Sequence, residues 1–152
     1  MTEPQEFTSC FVGDLCFGVE VAQVQEVTYG GTLTRLPLAS SRVCGLINLR
    51  GQIIAVTDLR RCLDLEERPA GDAPVHLILQ TDDGCISLLV DRAGDVVDVD
   101  ECEFEPPPET MRGRARELIR GAYKLNGGLL LALDTTQVLN DMDQTPDMEG
   151  LR

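Results

Sequence analysis

Residues 45–63 read G-L-I-N-L-R-G-Q-I-I-A-V-T-D-L-R-R-C-L. They spell an apolar run, a tight turn at Arg50-Gly51, a second apolar run, and then a short helix opened by Asp58. The plan returns at residues 121–139 as G-A-Y-K-L-N-G-G-L-L-L-A-L-D-T-T-Q-V-L. Gly45 aligns with Gly121, Leu49 with Leu125, Gly51 with Gly127, Asp58 with Asp134 and Leu63 with Leu139, at one ungapped offset of 76 residues. In a chain of 152 residues that offset is half the length, the mark of a duplicated structural unit.

A chain of this size makes one domain or two small lobes. Its hydrophobic fraction of 43% is that of a globular protein, and with 4% aromatics and no Trp the core must be aliphatic. The longest apolar run, residues 129–133, is far short of the ~20 residues of a membrane helix. Residues 1–6 are polar and acidic and do not read as a secretory leader. The expected location is therefore cytoplasmic, without membrane insertion. A net charge of −13 argues against nucleic acid, whose phosphates demand clustered cations. The six cysteines, Cys10, Cys16, Cys44, Cys62, Cys85 and Cys102, form no C-x-x-C pair, and His76 is the single histidine. Zinc-ligand spacing is thus missing, and several of the thiols sit among apolar neighbours as small buried hydrophobes.

Each half follows one plan. Strands are predicted over 7–12 and 15–19 around Gly13-Asp14, then a short helical turn or bulged extension through Val24 and Val27. Gly30-Gly31 breaks the chain, and Pro37 ends the regular pairing of residues 33–38. The hairpin 45–49 and 52–57 follows, with Asp58 capping a helix over 59–63. The second half repeats this as strands 75–80 and 85–90, a continuation over 91–99, an extended Pro-rich element at 105–109, and the hairpin at Asn126-Gly127. A helix from Asp134 through Leu139 ends it. The expected organisation is a lead (1–6), two lobes (about 7–66 and 75–140) joined by a linker (67–74), and a mobile acidic tail (141–152). Short strands with open edges invite aggregation, so an all-β body of two small barrels is expected.

Catalysis needs a nucleophile, an acid–base group or a metal in a pocket. His76 lies in a predicted strand without an accompanying Ser or Cys motif, and reads as a satisfied core or surface histidine. The acidic alternation Asp95, Asp98, Asp100, Glu101, Glu103 and Glu105 lacks the spacing of a calcium loop and reads as an exposed strand face. Phosphate-binding glycine loops are missing. No enzyme, cofactor or metal is expected. One cationic patch, Arg112, Arg114, Arg116 and Arg120, falls in the predicted loop before the second repeat hairpin; it is either a solvated loop or a docking point for an acidic partner. Arg50 remains. Arginine carries no special conformation at a turn tip, and the second repeat uses Asn126 there, so the hairpin does not need it. A turn-tip Arg can hold a carboxylate in a bidentate contact, and Glu26 is the expected mate.

The segment V-Q-E-V at 24–27, followed by G-L-I-N-L-R-G-Q-I-I-A-V-T-D-L-R at 45–60, resembles the CheW family of bacterial chemotaxis adaptors. The opening E-F-x-x-x-x-x-G-D-x-x-x-G-V (6–19), L-V-D-R-A-G-D-V-V (89–97) and G-A-Y-K-L-N-G-G-L-L-L-A-L-D (121–134) are similar too, so the resemblance spans residues 6–140. It implies a CheW-like fold of two five-stranded SH3-like barrels with a few short helices, and no catalysis. It implies that the chain bridges the cytoplasmic tips of chemoreceptors, the methyl-accepting chemotaxis proteins, to the regulatory domain of the histidine kinase CheA. By position it assigns Val24, Glu26, Asn48 and Arg50 to a receptor-facing groove between the lobes, shaped by Gly45 and Gly51. The outer barrel faces would meet the kinase. A related reading keeps the adaptor but moves it to twitching motility, development or surface sensing. From another class, the cysteines allow a redox-responsive module, which requires thiols of low pKa.

Overall fold

A computed structural model of the chain describes residues 6–29, 33–35, 43–69, 73–82, 84–100 and 102–143, with side chains described as far as residue 140. The expected chain break at Gly30-Gly31, the role of Pro37, the centre of the linker at 70–72, most of the lead and the tail from residue 144 lie outside these residues. The first half supplies β1 (Glu6–Val12), β2 (Leu15–Glu20), a 3-10 turn (Val21–Gln23), β3 (Val24–Tyr29), β4 (Leu33–Arg35), β5 (Val43–Leu49), β6 (Gln52–Asp58) and helix α1 (Leu59–Cys62). The second supplies β7 (Val75–Thr81), β8 (Gly84–Val90), β9 (Arg92–Asp98), β10 (Phe104–Glu105), α2 (Arg114–Leu118), β11 (Ile119–Leu125), β12 (Gly128–Leu133) and α3 (Thr135–Asp143). The last helix runs past Leu139 into the stretch expected to be tail.

The body is mostly β, in two six-stranded sheets. One has the order β10-β11-β12-β2-β1-β9 and the other β4-β5-β6-β8-β7-β3. These are the same sheet built twice. The registers place residues 6–29 on 75–98 at an offset of 69, and β5–β6 on β11–β12 at the offset of 76 seen in the sequence. Even the irregularities match. The register slips between Val43 and Gly45 and again between Ile119 and Gly121, and it slips between Val24 and Glu26 as it does opposite Thr8 and Cys10. The sheets, however, do not follow the expected lobes of 7–66 and 75–140. Each half donates its first hairpin to the other half's sheet, β1–β2 joining β9–β12 and β7–β8 joining β3–β6. The exchange happens at two short links. Only three residues separate β2 from β3, and one separates β8 from β9. At these links the backbone runs on in nearly one direction instead of reversing as it does at the two-residue hairpin turns, and so carries the chain from one sheet to the other.

The exchange explains where the core lies. Cys44, Ile47, Ile54, Val56, Ile78 and Leu89 fill one sheet's own interior, and Phe7, Val99, Leu130 and Ala132 fill the other's. A third and larger cluster joins the sheets, with Cys10, Val12, Phe17 and Val19 meeting Leu77, Leu79, Leu88 and Val90, and with α1 and α3 adding Leu59 and Val138. The exchanged hairpins are thus buried on both faces, which is why residues 75–79 and 88–90 are runs of buried side chains rather than an alternation. The repeated glycine has one job in both copies. A Cβ on Gly45 would stand 2.4 Å from the carbonyl oxygen of Thr34, and one on Gly121 2.3 Å from the Phe104 ring and 2.5 Å from the carbonyl oxygen of Glu105. Its absence lets β4 and β10 lie against β5 and β11. Both repeated aspartates cap helices as expected. Asp58 Oδ1 accepts from the Arg60 N–H at 3.0 Å, and Asp134 Oδ1 from Thr136 at 3.1 Å.

Candidate functional site

The β5–β6 turn is a two-residue hairpin loop closed by the pair Leu49 and Gln52. Both of its residues are left-handed, Arg50 at φ 52° and Gly51 at φ 87°. That is the primed turn favoured by the twist of two-stranded ribbons, but a Cβ makes it costly for any residue except glycine, asparagine or aspartate. The expectation of an ordinary conformation for Arg50 is therefore corrected: it is one of two non-glycine residues with positive φ among those described. Two contacts hold it. Asn48 Oδ1 accepts from the Gly51 N–H at 2.8 Å, fixing the turn from inside. The Arg50 guanidinium pairs with the Glu26 carboxylate, the expected mate. The hydrogen bond from Arg50 to Glu26, with the charge of that carboxylate, pushes the arginine pKa up from its usual value. Strands β7 and β8 stand between β3 and β6 in the sheet, so the contact requires the sheet to curl until the hairpin tip reaches its far edge.

The residues singled out in the sequence fall into two groups around this tip. Glu26, Asn48, Arg50 and Gly51 are brought together. Val24, just before the bulge in β3, turns inward and packs half-buried on the core that joins the sheets. Gly45 lies at the other end of β5, beneath β4. The equivalent tip in the second copy is built differently. Gly127 is left-handed at φ 97°, whereas Asn126 is not among the left-handed residues. The neighbouring cation, Lys124, stands where the first copy has Asn48, and it faces Glu105 at 3.1 Å and Glu103 at 3.6 Å.

The other candidates resolve into structure. His76 is buried, its Nδ1 2.7 Å from the Ser87 hydroxyl, and burial followed by the nearby Arg68 lowers its pKa. The six cysteines are free thiols. Burial pushes Cys10 up to about 12 and raises Cys16 and Cys44, the reverse of the activation that a redox-responsive thiol needs. No cluster suited to a metal occurs among the described residues, and none of their helices is long and apolar enough to cross a membrane. The arginine patch is a loop only at Arg112. Arg114 opens α2, and Arg120 lies on β11, 3.7 Å from Glu20. Arg116 donates to the carbonyl oxygens of Pro108 at 3.0 Å and Pro107 at 3.3 Å, clasping the proline-rich segment. Arg112 is exposed.

One cluster has no local signature in the sequence. The Asp91 carboxylate accepts from Arg60 at 2.9 and 2.5 Å, from Arg68 at 2.9 Å, and from the Gly13 N–H at 2.8 Å. Arg68 also reaches Asp58 at 3.2 and 3.3 Å. The Arg60 hydrogen bonds, with those of Gly13 and Arg68 behind them, hold the Asp91 carboxyl well below the usual carboxylate range despite its burial. Gly13, Arg60 and Asp91 each fall in a family-like segment of the sequence, but their separation hides that they converge.

Comparison with known proteins agrees with this geometry. The CheW-like domain family matches residues 6–143. The chemotaxis protein CheW of Bacillus subtilis is 33% identical over 124 residues, covering 82% of this chain and 80% of that protein. The chemotaxis protein CheW of Rhizobium meliloti is 26% identical over 134 residues, covering 88% and 86%. In fold the chain is similar to the crystal structure of the scaffolding protein TtCheW from Thermoanaerobacter tengcongensis, with a TM-score of 0.74 and 24% identity over 87% of this chain and 90% of that one. The chain therefore belongs to the CheW-like domain family, and it is an adaptor of the chemotaxis type.

Proposed function

We propose that this adaptor couples the cytoplasmic tips of chemoreceptors to the regulatory domain of a CheA-type histidine kinase. It acts by protein–protein contact alone, without catalysis, in the cytoplasm at membrane-associated receptor arrays. The receptor meets the groove marked by Val24, Glu26, Asn48 and Arg50, and the kinase meets the outer faces of the sheets. The observation that carries this reading is the left-handed Arg50. The chain keeps a strained, exposed arginine where its own second copy avoids one, and it holds that arginine on a carboxylate. Strain of this kind persists where function requires the side chain. Arg112 and Arg120, at the start of the second repeat, offer an acidic partner a contact outside the groove.

Affinity in such contacts concentrates in a few anchors, and assembly into arrays multiplies it. The experiment is co-purification of the full chain with a CheA regulatory domain and a receptor tip fragment from the same organism. Both should be retained, and Arg50→Ala or Glu26→Ala should reduce receptor retention while the kinase domain is kept. Retention of neither partner by the wild type would end the adaptor reading. Normal receptor-dependent kinase activation by both variants would end the site assignment.

A further inference from the structure

The chain crosses between its sheets twice, and the two crossings are fastened differently. After β2 it passes through Val21–Gln23 into β3; after β8 it passes through Asp91 into β9. The repeat makes these crossings equivalent, with Asp91 matching Ala22 at the offset of 69. At the second crossing Asp91 ties elements of both sheets. Gly13 belongs to the β1–β2 turn of one sheet, while Arg60 on α1 and Arg68 ahead of β7 belong to the other. The Asp91 N–H also donates to the Phe11 carbonyl oxygen at 3.0 Å. The side chains of Asp58, Arg60, Arg68 and Asp91 are between 9% and 18% exposed, so two cations and two carboxylates balance each other mostly out of water. Charge-assisted, bidentate bonds of this kind are strong and directional. At the first crossing Ala22 has no such group. Among the described residues that joint carries a neutral bond, Thr135 Oγ1 to Gln23 Oε1 at 2.9 Å, beside a cleft of about 150 Å³ lined by Leu79 and Thr81 on one side and by Thr135 and Leu139 on the other.

We propose that Asp91 is a positioning residue, the fixed joint that clasps the β1–β2 turn to α1 and thereby sets the orientation of the two sheets. Relative movement of the sheets is then taken up at the Gln23–Thr135 joint. Val24, Glu26, Asn48 and Arg50 stand on one sheet, and of these it is Val24, directly after Gln23 and packed on the core shared by the sheets, whose setting in the groove depends on this orientation. Contacts on the outer face of a single sheet do not. The consequence for receptor binding rests on the adaptor reading; the joint itself does not.

The test uses the full chain in two forms, Asp91→Asn and the double variant Asp91→Asn/Arg60→Gln. The second leaves Arg68 opposite Asp58 and so keeps the buried charge balanced. Backbone residual dipolar couplings report the orientation of each sheet in a common frame. The wild type should fit a single alignment tensor, and the variants should need two, with each sheet still internally consistent. The Kd for a receptor tip fragment should rise about tenfold while that for the kinase domain stays within about twofold. A folded variant that keeps one tensor and the wild-type orientation would overturn the proposal. So would equal losses for both partners, or failure of both variants to fold, since Asp91 would then serve stability alone. If the wild type binds no receptor fragment, the adaptor reading fails, and the couplings still decide the role of Asp91.

Discussion

The β5–β6 and β11–β12 hairpins occupy the same place in two copies of one sheet, and they differ at the tip. Both keep the glycine that admits a short neighbouring strand, the left-handed glycine of the turn, and the aspartate that caps the following helix. Those positions serve the architecture, because each copy needs them. The first copy adds Arg50, held left-handed and paired with Glu26. The second copy retains an acid at the equivalent of Glu26, Asp95, but has Asn126 in place of the arginine, and its cation has moved to Lys124, where it serves Glu103 and Glu105. A duplicated protein thus carries an internal control: what both copies share builds the sheet, and what one copy alone retains at a cost is the candidate for function.

The most disruptive challenge to this equivalence is to fill the shared glycines. Gly45→Ala and Gly121→Ala each press a Cβ against backbone or ring atoms, and each should lose about 1–3 kcal/mol in urea unfolding. A large loss at one site and none at the other would break the correspondence of the copies. The caps sharpen it next. Asp134→Ala should lose about 1 kcal/mol, the ordinary worth of an N-cap. Asp58→Ala should lose more, because it also strips Arg68 of a carboxylate in a largely buried network. Equal losses would mean that the network contributes nothing to the first copy. A smaller effect separates the sheets by pH. His76 is buried and its native pKa is lowered, so over the interval below about 6.5 the unfolded chain binds a proton that the native chain does not. Stability contributed by the neutral ring is complete above that value and declines as pH falls through the interval. The second sheet has Phe7 at the equivalent position and lacks this dependence. Denaturation at pH 7.5 and 5.5 should show the decline, and His76→Gln should remove that part of it. The smallest change in stability is expected for Arg50→Asn. It relieves a left-handed side chain while giving up an exposed ion pair, so its unfolding midpoint should not fall.

Much of this was legible because local chemistry carries it. Turn glycines, capping aspartates and alternating or continuous apolar runs are read within a few residues, and they located the hairpins, the helices at Asp58 and Asp134, and the repeat. The carboxylate-holding chemistry of a turn-tip arginine pairs Arg50 with Glu26 from the sequence, and the resemblance through N-L-R-G and V-Q-E-V assigns both to one groove. What escaped is non-local. Nothing near β1 or β7 names its partner strand, so the exchange of hairpins between the sheets has no signature in the sequence, and equal halves predict equal lobes. The Asp91 clasp joins residues 23, 31 and 78 positions apart; Gly13, Arg60 and Asp91 each lie in a family-like segment, but nothing local shows that they meet. The short helix at Arg114–Leu118 follows a left-handed Gly113, and a glycine with charged neighbours reads as loop. The strain at Arg50 belongs to the hairpin's twist, which selects the primed turn over the preference of the residue placed in it.

The central claim, that the first tip is functional and the second architectural, is tested most directly by exchanging them. A receptor tip fragment is titrated into the full chain as wild type, Arg50→Asn and Asn126→Arg, with the kinase regulatory domain as a parallel titrant. Arg50→Asn should weaken the receptor contact roughly tenfold or more, as loss of an anchor does, with no loss of kinase-domain binding or of fold. Asn126→Arg should bind as the wild type does. Receptor binding by Arg50→Asn that matches the wild type would contradict the account.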